Sequence, residues 1–230
     1  MPFWRWDAFF HYLGNRYILG GVFTTIWTSV AAMSIGLTLG LIVALMQMSD
    51  RWILNRPPRL YLLLWRGTPL LVQLIIIYTG LPQIGIRLSV LQSALIGLGL
   101  HQGAYLCEVI RGGIIAVGEG QYFAARALGM NYWTMMRVVI LPQAARVIIP
   151  PLGNRVNDLL KTTSLLSVIS MEELLRRSRM LMEERFAVLE IFTVCALYYL
   201  LMTTVWSRVQ NRIEARLGRG YGGSISGATA

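Results

Sequence analysis

The stretch that decides the fold runs from Gly120 to Pro142, GQYFAARALGMNYWTMMRVVILP. Its first half is too polar and too short to cross a membrane, yet residues 124–128, with Arg126 among them, are a strong helix-forming run. Gly129 ends that run, because glycine readily adopts the left-handed conformation in which many helices stop. A second apolar run then begins at Trp133. The pattern predicts a short surface helix, a hinge and a return into lipid.

The composition is that of a membrane protein. Of the 230 residues, 55% are hydrophobic and 14% are charged, whereas soluble domains carry about a quarter charged residues. The net charge is +10, and every basic residue except Lys161 is arginine. These arginines stand at the ends of apolar runs and are not gathered on one face. We therefore predict contact with membrane lipid and no nucleic-acid partner.

The apolar runs predict an all-α integral membrane protein with about five membrane-spanning helices in a single transmembrane domain, residues 1–230. The predicted spans are residues 17–49, 59–81, 88–107, 133–160 and 191–207. Outside them we predict an interfacial N-terminal segment (1–16), a cytoplasmic helix (119–131), an extramembrane helix (167–189) and a flexible tail (213–230). Gly36 and Gly40 in the first span form a small-xxx-small pair, which predicts a close helix contact.

Prolines mark two of the spans. In the second, Arg66-Gly67-Thr68-Pro69 is interpreted as a proline kink beside an interfacial arginine. The charged segment before it, residues 50–59, is predicted to be a loop that ends at its two prolines. The fourth span contains three prolines and several arginines at membrane depth. We predict that it is a discontinuous helix whose irregular backbone faces a cavity.

The arginines are unevenly divided between the two sides that five spans define. One side carries eleven (51, 56, 59, 66, 111, 126, 137, 208, 212, 216, 219) and the other carries seven (5, 16, 87, 176, 177, 179, 185). Cytoplasmic loops are enriched in basic residues. The predicted orientation therefore places residues 119–131 and the C-terminus in the cytoplasm and the N-terminus outside.

No catalytic residue set is recognisable in the sequence. The patterns GxxxxGK[ST], HExxH and GxSxG are absent, and Cys107 and Cys195 lie far apart in apolar segments. We predict a protein that is not an enzyme and binds no metal or cofactor of its own. The alternatives are a membrane-embedded enzyme, which should show paired carboxylates or metal-ligand spacing, and a non-transporting scaffold, which does not need prolines and arginines within a span.

Polar residues inside the spans are candidates for a solute pathway, since an ionisable side chain at membrane depth is costly. Arg155 is the first candidate, and an arginine there favours an anionic ligand or a substrate carboxylate. The alternatives are that Arg155 pairs with Asp158 one turn on or that it faces the membrane surface, and these interpretations stay open. His101 and Gln102 are further candidates, although a single histidine in a bundle is more often an interhelical hydrogen-bonding group.

Several strings resemble the transmembrane permease subunits of bacterial polar amino-acid ABC importers, the binding-protein-dependent family with the EAA loop. The matching strings are Ala124-Ala125, Gly129 and Leu141-Pro142 at the offsets of that loop, RGTP at 66–69, the AYxxExxRxG pattern at 104–113, PPLGN at 150–154 and TSL at 163–165. The resemblance extends from about Gly20 to Arg212. It implies the type I importer permease fold.

The resemblance also implies a set of partners and roles. The helix within 119–131 would be a coupling helix that docks on a separate ABC ATPase dimer, which binds ATP and Mg. A second permease subunit, identical or homologous, an extracytoplasmic solute-binding protein and an amino-acid substrate would complete an importer in the bacterial inner membrane. The implied coupling residues are Phe123, Ala124, Ala125, Arg126, Leu128 and Gly129. Asn154, Thr163 and Ser164 join the implied substrate pathway.

One coupling residue departs from the family pattern. Phe123 stands where the family usually has glutamate, so the resemblance does not carry a charged contact with the ATPase over to this position. An apolar side chain can still anchor a helix in a groove.

Overall fold

The computed structural model describes residues 4–218, and within them every regular element is helical, which confirms the predicted all-α fold. The α-helices are α1 (Trp6–Leu13), α2 (Arg16–Gln47), α3 (Trp52–Gly67), α4 (Leu70–Ile75), α5 (Val90–Ile115), α6 (Glu119–Ala127), α7 (Tyr132–Met135), α8 (Leu141–Thr162), α9 (Leu174–Arg185) and α10 (Val188–Gly218). Two π-helical segments, Ile76–Gly80 and Met136–Ile140, and two 3-10 segments, Leu81–Ile84 and Thr163–Ile169, connect some of them.

Helices α2 and α5 form the centre of the bundle and run parallel to each other. A Cβ atom added at Gly36 would lie 2.7 Å from the Cβ of Gln102, and one added at Gly40 would lie 2.9 Å from the Cβ of Leu106. Both contacts advance by four residues on each helix, so the two helices point the same way. The contact predicted from Gly36 and Gly40 is confirmed, since no larger residue fits between these backbones without a shift.

Three shorter helices, α1, α6 and α9, lie at the two opposite ends of this pair. At the start of α2, the backbone N–H of Arg5 before α1 donates to Glu190 of α10 at 2.8 Å. Arg177 of α9 donates to the carbonyl oxygen of Tyr17 in α2 at 3.1 Å. Helix α6 directly follows the far end of α5. Helices α1 and α9 therefore lie at one end of the bundle and α6 lies at the other.

Three helical stretches in the described part of the chain are long and apolar enough to cross a membrane: 16–47, 132–169 and 188–217. A fourth candidate is the bent pair of α3 with the helical stretch 70–84. Helix α5 has 26 residues, which is long enough, but it includes polar residues such as His101 and Gln102 and is not among these candidates. Its neighbours α2, α3, α4 and α8 cover it, and this cover permits polar residues in it.

The second predicted span, residues 59–81, is not one helix. Helix α3 ends at Gly67, and the helical stretch that begins at Leu70 is bent from it by 103°. Thr68 is extended, with φ −124° and ψ 147°, as a residue before proline prefers. Pro69 cannot donate a backbone hydrogen bond to continue the helix. The sequence located this irregularity correctly but predicted a kink where the structure has a break.

The predicted loop at residues 50–59 is mostly helical. Helix α3 begins at Trp52 and passes through Pro57 and Pro58. The prolines remove the hydrogen bonds that the carbonyl groups of Ile53 and Leu54 would otherwise accept. Both of those residues are exposed, so solvent or lipid headgroups can hydrogen-bond to their carbonyl groups.

The fourth predicted span is not broken at its paired prolines. Helix α8 continues through Pro150 and Pro151. Trp206 of α10 donates to the carbonyl oxygen of Gly153 at 2.8 Å, and Gln210 donates to that of Pro150 at 3.4 Å. Helix α10 thus contacts the α8 backbone at and just after the two prolines. The irregularity of this span lies earlier, in the π-helical segment between α7 and α8.

The other predicted segments have mixed outcomes. The tail is predicted to begin at residue 213, but α10 continues to Gly218, because the alternation of apolar and charged residues typical of a helix continues there. Residues 219–230 lie outside the described residues. In the N-terminal segment, α1 covers 6–13, and 1–3 lie outside the described residues. Within 167–189, helix α9 buries Leu174 on its predicted apolar side, against α2 and α10.

Candidate functional site

One face of α5 carries a row of polar and aromatic side chains. His101, Tyr105 and Glu108 are spaced by four and three residues, so they lie on the same side of the helix near its middle. The rings of His101 and Tyr105 are 5.0 Å apart between centroids. The histidine Nδ1 lies 3.1 Å from Oε1 of Gln73 in α4.

Two arginines from other helices converge on Tyr105. The guanidinium carbon of Arg155 in α8 lies 4.1 Å from the ring centroid, and that of Arg66 in α3 lies 5.6 Å from it. Glu108 then links the arginines of two helices, with 3.8 Å to Arg66 and 3.1 Å to Arg111. We call the set Arg66, His101, Tyr105, Glu108, Arg111 and Arg155 the Tyr105 cluster.

The contacts of this cluster test two predictions, the pairing of Arg155 with Asp158 and the interfacial position of Arg66. Asp158 pairs with Lys161 at 3.3 Å, while Arg155 stacks on Tyr105, so the predicted alternative of an Arg155–Asp158 pair is wrong. Arg66, interpreted as an interfacial residue, instead joins α3 to α5 through Glu108 and Tyr105. A guanidinium over an aromatic face is stabilised by the ring quadrupole, and it needs no carboxylate partner there.

The break between α3 and α4 is connected to the same cluster through Gln73, which is buried. Its amide nitrogen donates to the carbonyl oxygen of Trp65 at 3.0 Å, and to the carbonyl and hydroxyl oxygens of Thr68 at 3.1 and 2.9 Å. Its amide oxygen contacts His101. Carbonyl groups freed by the break are thus satisfied next to the cluster. Broken helices beside charged residues are typical of solute pathways.

The remaining residues predicted for the pathway do not join His101 and Arg155. Gln102 follows His101 and is turned about 100° around the helix, so it is buried against Gly36 of α2. Asn154 is exposed and accepts a hydrogen bond from Gln210 at 3.1 Å. Thr163 is buried and donates to the carbonyl oxygen of Leu160 at 2.8 Å. Ser164 lines a separate cavity of about 450 Å³ between α8, α9 and α10.

Sequence reasoning did not single out Tyr105 and Gln73. The signal for Tyr105 was present in its spacing from His101 and Glu108, which places all three on one helix face. No comparable signal exists for Gln73, because its role depends on the angle at which α4 meets α3 and on the approach of α5.

A second candidate surface is formed by α6 at the other end of the bundle. Ala125 is 2% exposed and packs in the same core as Ile114 of α5 and Met135 of α7. The side chains of Phe123 and Leu128 point outward, with 64% and 76% of their surface exposed. The exposed predicted coupling residues, which we call the α6 surface, are Phe123, Ala124, Arg126 and Leu128.

The end of α6 is built around Gly129, which has a φ of +71°. Its N–H donates to the carbonyl oxygen of Arg126 at 2.9 Å, and the N–H of Met130 donates to that of Ala125 at 3.1 Å. These two bonds form a Schellman cap, which satisfies the last carbonyl groups of the helix. Ala125 and Gly129 therefore hold the helix in place, whereas the α6 surface is available for contact.

Burial also affects the pKa of Tyr122, the tyrosine of α6. Tyr122 is half-buried, and its hydroxyl donates to the carbonyl oxygen of Ile114 at 3.5 Å. Burial raises the pKa of the Tyr122 phenol above its ordinary value, so the group is neutral at physiological pH. It acts as a hydrogen-bond donor that ties α6 to the end of α5.

The family described as "Binding-protein-dependent transport system inner membrane component" matches residues 36–219. A probable amino-acid ABC transporter permease protein of Bacillus subtilis, YckA, is 38% identical over 87% of this chain and 88% of its own length. The glutamine transport system permease protein GlnP of Escherichia coli K12 is 35% identical over 87% and 92%. The arginine transport system permease protein ArgU of Corynebacterium glutamicum is 38% identical over 94% and 72%.

Two solved structures are also similar. The crystal structure of an amino acid ABC transporter with histidines has a TM-score of 0.82 and 36% sequence identity over 87% of this chain and 94% of that chain. The MetNI methionine ABC transporter in an inward-facing conformation has a TM-score of 0.70 and 16% identity over 87% and 95%. At that identity, the second likeness shows the fold alone.

Proposed function

This chain belongs to the family of binding-protein-dependent transport system inner membrane components, and from that premise we propose that it is the membrane-spanning subunit of an ATP-driven importer of a polar amino acid. The similarity to permeases named for glutamine and arginine supports the solute class. A separate ABC ATPase dimer binds ATP and Mg and hydrolyses the nucleotide. A binding protein delivers the solute from outside, and a second permease subunit completes the pathway.

The observation that carries this proposal is the α6 surface. Phe123 lies on a short helix outside the candidate spans, and Leu128 directly follows this helix; both are large apolar side chains and both are exposed. Exposed apolar groups on a rigid helix are typical of a helix that docks into a groove of a partner. Aromatic side chains such as Phe123 are frequent anchors in such interfaces.

The packing of α6 supports a path from the ATPase to the solute. Ala125 shares one core with Ile114 at the end of α5 and with Met135 and Ile140 before α8. Gln143 of α8 also donates to Gln121 of α6 at 3.1 Å. A displacement of α6 would therefore move α5 and α8 together, and these helices carry Tyr105 and Arg155. Rigid-body movement of packed helices is an established way to couple two sites.

The arrangement of the helices supports an orientation with the α6 end in the cytoplasm. Helices α1 and α6 lie at opposite ends, and the arginine distribution favours the α6 end as the cytoplasmic one. The ATPase is a cytoplasmic protein. It can bind the α6 surface in cells only if the α6 end of the bundle faces the cytoplasm.

Copurification of the cognate ATPase from membranes tests the proposal. We expect Phe123→Asp to weaken capture of the ATPase at least ~10-fold, because a carboxylate would be buried in an apolar groove without a partner. Phe10→Asp is the matched control, since Phe10 is 62% exposed on the short helix α1 at the opposite end. Equal capture by wild type and Phe123→Asp, or no capture by the wild type, would contradict the proposal.

A further inference from the structure

The Tyr105 cluster carries more positive than negative charge. It contains three arginines and one carboxylate, and the carboxylate of Glu108 is shared between Arg66 and Arg111. The neighbouring acidic groups of α8 and α10 are engaged elsewhere, Asp158 by Lys161 and Glu214 by Gln210. Arg155 faces an aromatic ring and not a carboxylate.

From this arrangement we propose that the transported solute is an acidic amino acid, whose side-chain carboxylate binds between Arg155 and Arg66 at the Tyr105 cluster. The inference rests on the proposed importer function and names its substrate class. Every amino acid brings an α-carboxylate and an α-ammonium whose charges offset each other. A solute with one additional carboxylate offsets the excess positive charge, whereas a neutral side chain leaves the excess in place.

The position of Arg155 strengthens this argument. It is half-buried and lies within the candidate span 132–169, where an unneutralised charge is expensive. A guanidinium has a planar array of donors that fits a carboxylate with two parallel hydrogen bonds. The stacking on Tyr105, at 4.1 Å, holds the guanidinium while leaving its edge N–H groups for a ligand.

The second arginine is placed for the same ligand. Arg66 precedes the break between α3 and α4, and its guanidinium lies 5.6 Å from the same Tyr105 ring. Its side chain is 43% exposed, and its 3.8 Å contact with Glu108 is long for a hydrogen bond. Arg66 therefore retains donors that a bound carboxylate can use. A cationic solute would be repelled by both arginines at short range.

Direct binding to the purified permease–ATPase complex in lipid nanodiscs tests the substrate class. Radiolabelled L-glutamate is the probe, and unlabelled L-glutamate, L-aspartate, L-glutamine and L-arginine are the competitors. L-Glutamate and L-glutamine have nearly the same size and differ in one charge. We expect L-glutamate or L-aspartate to bind at least ~10-fold more tightly than L-glutamine, and L-arginine to be the weakest competitor.

Variants connect this preference to the cluster. Arg155→Gln should lower L-glutamate affinity at least ~10-fold and remove the preference over L-glutamine, while Arg155→Lys should restore part of it. Arg59→Gln is the control, because Arg59 is an exposed arginine of α3 that contacts Asn55 outside the cluster. An unchanged preference in Arg155→Gln would overturn the assignment of the site.

ATP-driven uptake by the same complex separates this inference from the proposed function. ATP-driven uptake of L-glutamine or L-arginine, with neither binding nor uptake of the two acidic amino acids, would overturn the substrate class and leave the importer in place. Absence of ATP-driven uptake of all four amino acids would overturn both.

Discussion

At the scale of single residues, Gly129 shows how one backbone conformation sets the shape of a surface. Its φ of +71° places it in the left-handed region, where a Cβ atom clashes with the adjacent backbone. The conformation allows two capping bonds that end α6 before the chain turns into α7. Residues with a side chain hold this conformation less readily, so the cap depends on glycine.

Gly129→Ala should loosen α6 without changing the spans. We expect a loss of ~1–2 kcal/mol in local stability, which corresponds to roughly 5- to 30-fold faster amide exchange in α6. Gly120→Ala is the control, since Gly120 lies inside α6, has no positive φ and has no atom within 4 Å of an added Cβ. Hydrogen–deuterium exchange with mass spectrometry measures both variants. Equal exchange rates in wild type and Gly129→Ala would show that the cap does not hold the helix.

At the scale of helices, the α2–α5 contact sets the position of the α5 residues of the Tyr105 cluster. The glycines of α2 let α5 approach closely, and one face of α5 then carries His101, Tyr105 and Glu108 away from that contact. A Cβ atom at Gly40 would lie 3.0 Å from the backbone nitrogen of Cys107 as well as close to Leu106. The two helices must separate or tilt to accommodate it.

Gly40→Ala should therefore destabilise the bundle. Overpacking of this kind typically costs about 1–3 kcal/mol, and we expect a lower melting temperature in detergent. Gly112→Ala in α5 is the matched control because an added Cβ there has no neighbour within 4 Å. Alanine favours helix over glycine by roughly 0.5–1 kcal/mol, so this control should keep or raise the melting temperature. A thermal unfolding curve of Gly40→Ala that matches or exceeds that of Gly112→Ala would contradict the close-contact account.

At the scale of the whole molecule, the bundle has the polar Tyr105 cluster between its helices and the exposed α6 surface at one end. The fold is that of ABC importer type I permeases, as the similar solved structures and the all-helical architecture show. Helices α5 and α8 connect the two regions, since each contributes to the Tyr105 cluster and each packs on the elements around α6. The bundle thereby connects the Tyr105 cluster to the α6 surface through packed helices.

Much of this architecture followed from local sequence signals. Gly129 predicted the end of α6, and the apolar runs predicted the long helices α2 and α10 to within a few residues at the starts. These features depend on short-range periodicity and on the conformational freedom of glycine. They could be inferred without knowing how the helices pack.

Other features depend on tertiary contacts and escaped prediction. Pro150 and Pro151 do not break α8, which contacts α10 at this point through Trp206 and Gln210. Pro69 does break its helix, and Gln73 satisfies the carbonyl groups that the break exposes. The same residue type thus has opposite outcomes in two spans. The convergence of Arg155 and Arg66 on Tyr105 likewise requires three helices to meet.

The measurement that tests the central claim most directly is ATP-driven uptake into proteoliposomes. The vesicles would contain this chain with its ATPase, with ATP and Mg inside and the binding protein with radiolabelled polar amino acids outside. The account predicts accumulation that requires internal ATP, stops in Phe123→Asp and persists in Phe10→Asp. Accumulation that is independent of ATP, or equal in wild type and Phe123→Asp, would contradict it.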